Sequence, residues 1–143
     1  MNHQILLKQL ELHEGKKRFP YKDTVGKITI GIGRNLADVG LSESEIVYLL
    51  ENDIVKCRRN LDAAFSWWRE LSEPRQHVML DMIFNLGLAG LSKFIRTLEA
   101  IRAGEYSLAA DRMLQSRWAS QVGQRANRLS EMMRLNEFPV ELR

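Results

Sequence analysis

The sequence predicts an α+β fold, in which a small N-terminal lobe with one β-hairpin is joined by a long helix to a larger all-helical lobe. Three observations predict it. A short alternation of apolar with small or polar residues occurs in "KITIGIG", behind a turn signal, and reads as the second arm of a hairpin. From Ser42 to about Asp62 the residues Ile46, Leu49, Leu50, Ile54, Cys57 and Leu61 recur at helical spacing over an unusually long stretch. Beyond it, each remaining apolar segment reads as a further helix. Strands confined to one end and helices to the other give α+β and not an alternating α/β sheet.

Taken in order, the first helix is expected over about Asn2 to His13, with Ile5, Leu6 and Leu10 on one face and Gly15 where glycine commonly ends a helix. The hairpin occupies Tyr21 to Gly33. The long helix opens on Ser42 and Glu45, three residues apart as a capping box requires. Ser72 is expected to cap a segment through about Leu86, burying Val78, Met79, Met82, Ile83 and Leu86. Ser92 should cap Lys93 to Arg102, burying Phe94, Leu98 and Ile101. Segments Tyr106 to Gln115 and Gly123 to Leu135 complete the set. The 143 residues form a single domain: a small lobe over about 14–45, a connector over about 43–62, and a helical lobe over about 63–143 together with the N-terminal helix.

Composition narrows the function. Cys57 is the single cysteine, so neither an intramolecular disulfide nor a thiolate zinc site is available, and its place in the helical pattern marks it as a small buried residue. His3, His13 and His77 are too scattered for a metal centre, and no cofactor motif is present. No apolar run approaches the roughly 18 residues of a membrane span, and no basic region precedes the first apolar cluster as in a signal peptide. The expected location is therefore the cytoplasm of the producing cell. The net charge is +3 with pI near 9.2. The excess gathers late, with Arg112, Arg117, Arg125, Arg128 and Arg134 opposed by Asp111 and Glu131, a patch suited to a polyanion or simply to a solvated helix face.

The chemistry starts in "YKDTVGKITIGIG". Aspartate first and glycine fourth in "DTVG" compose a type I turn followed by a left-handed bulge glycine, a three-residue loop of Thr24, Val25 and Gly26. That register sets Asp23 opposite Lys27 and Tyr21 opposite Thr29. Tyr21, Asp23, Thr29, Gly31 and Gly33 then share one face, and Ile28, Ile30 and Ile32 the other. One face is left polar and low in bulk, as close approach of a ligand would need. By itself, the hairpin also admits a plainer reading, in which Asp23 only caps its turn and the glycines are bends. Glu14, immediately before Gly15, changes the balance, because its carboxylate can project past the helix end toward the hairpin. A protonated acid near an ionised aspartate is the pairing that glycoside hydrolysis requires.

"HEG" followed by "YKDTVGKITIGIG" resembles the active-site segment of the phage-type lysozymes. The family pattern is a glutamate, eight residues, an aspartate or cysteine, five residues and a threonine, and Glu14, Asp23 and Thr29 satisfy it in type and spacing. The resemblance extends through "DMIFNLGLAGLSKF" and "SRWASQVGQRANR". It implies the lysozyme-like α+β fold and a peptidoglycan muramidase, most simply an endolysin of a phage or prophage, cutting the β-1,4 bond after N-acetylmuramic acid. It implies Glu14 as general acid, Asp23 with Thr29 activating water, and inversion at the anomeric carbon. Inversion in turn calls for carboxyl groups roughly 6.5–9.5 Å apart. It places Tyr21 and Asn85 with the substrate, Arg125 beside Glu14, and Trp118 near the cleft with core packing as its main role. A holin-like lesion would be needed for a monomeric enzyme without an export signal to reach the wall, and neither nucleic acid nor a stable membrane insertion is expected.

There are also departures. Arg34 stands where relatives carry a histidine after "GIG", and an ion pair with Asp53 on the connector is expected for it. Val25 replaces an acidic residue of the T-even phage member, and "RNLADVGLSES" makes the small lobe short. Phe65, Trp67 and Trp68 are expected to pack where connector and helical lobe meet. Two other functions compete. A lytic transglycosylase needs the acid but no water-activating base, and a non-catalytic cationic wall-binding or antibacterial protein needs neither.

Overall fold

The computed structural model describes every residue from Met1 to Arg143. It resolves into two compact units, Met1–Leu49 and Leu50–Arg143, whose boundary falls inside the long helix.

The first unit begins with helix α1, His3–Glu14, whose Asn2 cap accepts a hydrogen bond from the Ile5 N–H at 3.0 Å. It ends where the Gly15 N–H reaches the Glu11 carbonyl at 2.8 Å, with Gly15 at φ 78°. Strands β1 (Lys17–Lys22) and β2 (Ile28–Gly31) pair antiparallel with Tyr21 opposite Thr29 and Lys22 opposite Ile28. The Asp23 N–H donates to the Lys27 carbonyl at 2.9 Å and Gly26 sits at φ 82°, so the three-residue loop and the register expected from "DTVG" are both present. The pairing slips between Lys17 and Tyr21, where Pro20 has no N–H to give the ladder.

The strand does not continue to Gly33. Gly31 and Gly33 both adopt φ 69°, which folds the chain back over Ile32 and starts a third strand, β3 (Arg34–Asn35), with Arg34 opposite Ile30 and Asn35 opposite Thr29. The expected apolar face shared by Ile28, Ile30 and Ile32 is thereby corrected: Ile30 is half-buried, while Ile28 and Ile32 are exposed.

Helix α2, Glu43–Ala64, starts with both arms of the capping box made: the Glu45 N–H donates to Ser42 Oγ at 3.2 Å and the Ser42 N–H to Glu45 Oε1 at 2.8 Å. The same Glu45 oxygen takes Arg34 at 2.7 Å, and Arg34 also donates to the Gly40 carbonyl at 3.2 Å. Arg34 therefore pairs with Glu45 and not with the expected Asp53. The β3 turn sets Arg34 beside the start of α2, within reach of the residue that the capping box has already oriented. With a cation and a backbone N–H on one carboxylate, Glu45 is held down at about 2, the Arg34 bond being the larger cause.

In the second unit α2 buries Cys57 and Leu61, and burial pushes the Cys57 thiol up, which keeps it protonated. A short 3-10 helix, Ser66–Glu70, presents Trp68 to the core, and its indole N–H donates to Asp62 at 2.7 Å. Phe65 and Trp67 pack against the same core, as expected. Helix α3 (Glu73–Ser92) buries Val78, Met79, Met82 and Ile83 and breaks at Gly87, φ 73°. Its Ser72 cap makes no side-chain cap bond, because that hydroxyl is turned to Asn136 instead. Ser92 ends α3 and does not cap the next helix, α4 (Ile95–Arg102), which starts after Phe94 without a side-chain cap.

Helix α5 (Tyr106–Leu114) follows, then α6 (Arg117–Val122), which the periodicity did not reveal, and α7 (Gln124–Leu135). The core is filled by Leu61, Met79, Met82, Leu91, Ile101, Met113 and Met133, all essentially fully buried. Arg75 ties α3 to the end of α7, donating to the Met133 carbonyl at 2.8 Å while lying 3.6 Å over the Tyr106 ring.

Candidate active site

Glu14, Asp23 and Thr29 all belong to the first unit. Glu14 is the last residue of α1, and the positive φ of Gly15 turns the chain away just after it. Its exposed side chain lies against the backbone of Gly33 in the second turn. α1 and the β2–β3 turn together therefore set the position of the acid.

Asp23 does cap its own turn, since Oδ1 accepts the Val25 N–H at 3.0 Å and the Lys27 N–H at 2.8 Å. These bonds also fix the carboxylate, and Oδ2 has no hydrogen-bond partner. The plain reading of "DTVG" is thus present in the geometry, and it leaves one carboxylate oxygen of Asp23 available. Thr29 is buried and its hydroxyl donates to the Lys27 carbonyl at 3.0 Å, which leaves the oxygen lone pairs free to accept. Tyr21 is half-buried directly across the ladder from Thr29.

The glycines divide by role. A side chain on Gly31 would meet nothing within 4 Å, whereas one on Gly33 would run into Glu14. Only the first leaves open space for a ligand.

The second unit carries Asn85, Trp118 and Arg125. Trp118 is buried and meets Phe94 edge to face at 5.9 Å, so packing is its main role, and its N–H donates to Asn85 Oδ1 at 2.8 Å. That bond fixes the exposed Asn85 amide and leaves its NH₂ free to donate. Arg125 is held by Asp81, at 2.8 Å from Nε and 2.7 Å from Nη2. Both line a hollow of about 580 Å³ whose walls include Leu80, Phe84 and Leu129.

Asp81 was missed at the level of sequence, because a partner 44 positions from its arginine leaves no local signal. The late arginines divide as well. Arg134 pairs with Asp111 at 2.7 Å and Arg125 with Asp81. Arg112 and Arg117 have no acidic partner. With Lys93 and Arg96 they surround an open hollow of about 520 Å³ floored by Phe94 and Trp118, and no carboxylate lines it. No group of three or more histidine, cysteine, aspartate or glutamate side chains comes together to hold a metal.

The family model described as "Phage lysozyme" matches residues 11–135. The chain is 25% identical over 149 aligned positions to "Probable T4-type lysozyme 2" of Dictyostelium discoideum, covering 84% of this chain and 88% of that protein. It is 28% identical, with the same coverage, to "Probable T4-type lysozyme 1" of the same organism. It is also 25% identical to part of the "Pre-baseplate central spike protein Gp5" of Enterobacteria phage T4, where the match takes in 96% of this chain and 29% of that protein.

Proposed function

The chain belongs to the phage lysozyme family and is a lysozyme-type glycoside hydrolase; within that membership we propose that it is a muramidase, cutting the β-1,4 bond between N-acetylmuramic acid and N-acetylglucosamine in peptidoglycan with Glu14, Asp23 and Thr29. The observation that carries this reading is the geometry of the turn. Asp23 is fixed through Oδ1 with Oδ2 left free, on the same ladder as a Thr29 oxygen that can accept.

Glu14 gives its carboxyl proton to the glycosidic oxygen as the bond from that oxygen to the anomeric carbon breaks. Water attacks the anomeric carbon from the opposite face and loses its proton to Asp23 Oδ2, with Thr29 Oγ1 accepting the second water hydrogen. The product has inverted configuration, Glu14 ends ionised and Asp23 protonated, and solvent restores both. Tyr21 borders the substrate face and Asn85 offers its NH₂ to an N-acetyl carbonyl. Arg125, its guanidinium oriented by Asp81, is a further substrate-binding group. The four cations around the Phe94–Trp118 hollow meet the anionic stems and associated polymers of the wall. The enzyme works as a monomer, is made in a host cytoplasm, reaches the wall through a holin-like lesion and causes lysis. No single helix is long and apolar enough to cross a membrane.

The test is turbidity loss of purified walls. Clearing at the wild-type rate by Glu14→Gln and Asp23→Ala would remove the catalytic assignment. Retained configuration in the product would overturn water activation by Asp23 and leave Glu14 standing. A 1,6-anhydro product, visible by mass, would make the enzyme a lytic transglycosylase.

A further inference from the structure

We propose that Gly33 is a positioning residue for the general acid: its missing side chain is the space in which the Glu14 carboxylate sits. The proposal rests on Glu14 being that acid. A Cβ on Gly33 would lie 2.5 Å from Glu14 Oε2, 2.8 Å from Cδ and 3.0 Å from Cγ. Real Cβ atoms do not approach heavy atoms so closely. Of the eight glycines with positive φ, Gly33 is the one whose Cβ would meet anything within 4 Å. Gly90 is also crowded, but by the side chain of Leu86 in its own helix.

The identity of the crowding atoms decides what a substitution does. They are the far end of a flexible, exposed side chain and not backbone, so the easiest relief is for Glu14 to swing away while the turn keeps its shape. A methyl group at this position therefore moves the acid without unfolding the sheet. A displacement of about 1 Å at the reacting centre costs a rate factor of about 100.

Gly31 provides an internal control. It shares φ 69° with Gly33, so alanine pays a comparable backbone penalty at either position, yet at Gly31 it meets nothing. Three variants, Gly33→Ala, Gly31→Ala and Glu14→Gln, are compared by melting temperature, by kcat and KM on walls, and by the ¹³C resonance of the Glu14 carboxyl group.

The expected result is that Gly33→Ala and Gly31→Ala melt within about 3 °C of each other. Gly33→Ala then lowers kcat about 100-fold with KM within about threefold of wild type. It also moves the Glu14 resonance, which Gly31→Ala leaves in place. A kcat for Gly33→Ala within about threefold of wild type, or equal movement of the resonance in both variants, would overturn the positioning role. Wild-type kcat in Glu14→Gln would sink the acid assignment instead, and the resonance would still report whether Gly33 holds that side chain.

Discussion

The two units hold their polar groups in opposite ways. In Met1–Leu49 the groups assigned to chemistry are held by neighbours in the chain: Asp23 by the N–H groups of Val25 and Lys27, and Thr29 by the Lys27 carbonyl. In Leu50–Arg143 the corresponding groups are held by distant partners, Arg125 by Asp81 and Trp118 by Asn85, which lie 44 and 33 positions apart. Apolar burial differs too. No residue of α1 is buried, whereas α3 alone buries five. Turn chemistry fixes polar groups within a few residues, while polar groups on packed helices depend on the whole core being in place.

If that contrast is right, the largest effects on catalysis come from the first unit and the largest effects on stability from the second. Glu14→Gln is the extreme case: it keeps size and polarity but has no proton to give, and the loss expected for a general acid is about 100- to 10,000-fold in kcat with an unchanged melting temperature. Asp23 should divide its two duties. Asp23→Asn keeps an oxygen for the turn and loses activity alone. Asp23→Ala also gives up both turn bonds, about 1–2 kcal/mol of stability, read by denaturant titration. Equal stability of the two variants would show that the turn does not depend on this side chain.

Met82→Ala marks the other extreme. It empties a fully buried site and should cost about 2–5 kcal/mol, whereas Ile28→Ala, exposed on the sheet, should cost under about 1 kcal/mol. Similar losses at both positions would mean that the first unit has a tighter core than its exposure indicates.

The same contrast explains what could be read from the sequence. The capping box of Ser42 and Glu45 and the loop register are written in residues a few positions apart, and each is present as expected; the pattern of Glu14, Asp23 and Thr29 is equally local in the sequence. What escaped was set by tertiary choice. Arg34 was expected on Asp53, and the third strand placed it on Glu45, because a pair of left-handed glycines ended β2 early. Gly33 was legible as a bare position but not as the seat of Glu14, since nothing in a local pattern says which side chain will fill a gap. Helix α6 was hidden by its length, six residues being too few for a periodic signal.

A smaller effect is expected at the Phe94–Trp118 hollow. Replacing Lys93, Arg96, Arg112 and Arg117 by glutamine should weaken co-sedimentation of a Glu14→Gln protein with purified walls several-fold at low salt, and should flatten the salt dependence of that binding. None of the four makes an ion pair, so no salt bridge is lost with the charge. An unchanged salt dependence would return these cations to the status of a solvated face.

The smallest effect concerns Glu45, where the local and the tertiary meet. Its carboxyl is lowered from an ordinary 4.5 to about 2, by the Arg34 bond first and the Ser42 N–H second. A depressed folded-state value means that the unfolded chain takes up the proton more readily as pH falls. The stabilisation is therefore complete above about pH 4.5 and is lost progressively down to about pH 2. Glu45→Gln should remove this part of the acid-induced fall in melting temperature. Arg34→Gln should remove most of it while sparing the share due to the capping box. If Arg34→Gln leaves the acid limb unchanged, the capping N–H is the dominant partner, and the ion pair that displaced the expected Asp53 bridge contributes nothing to stability across that range.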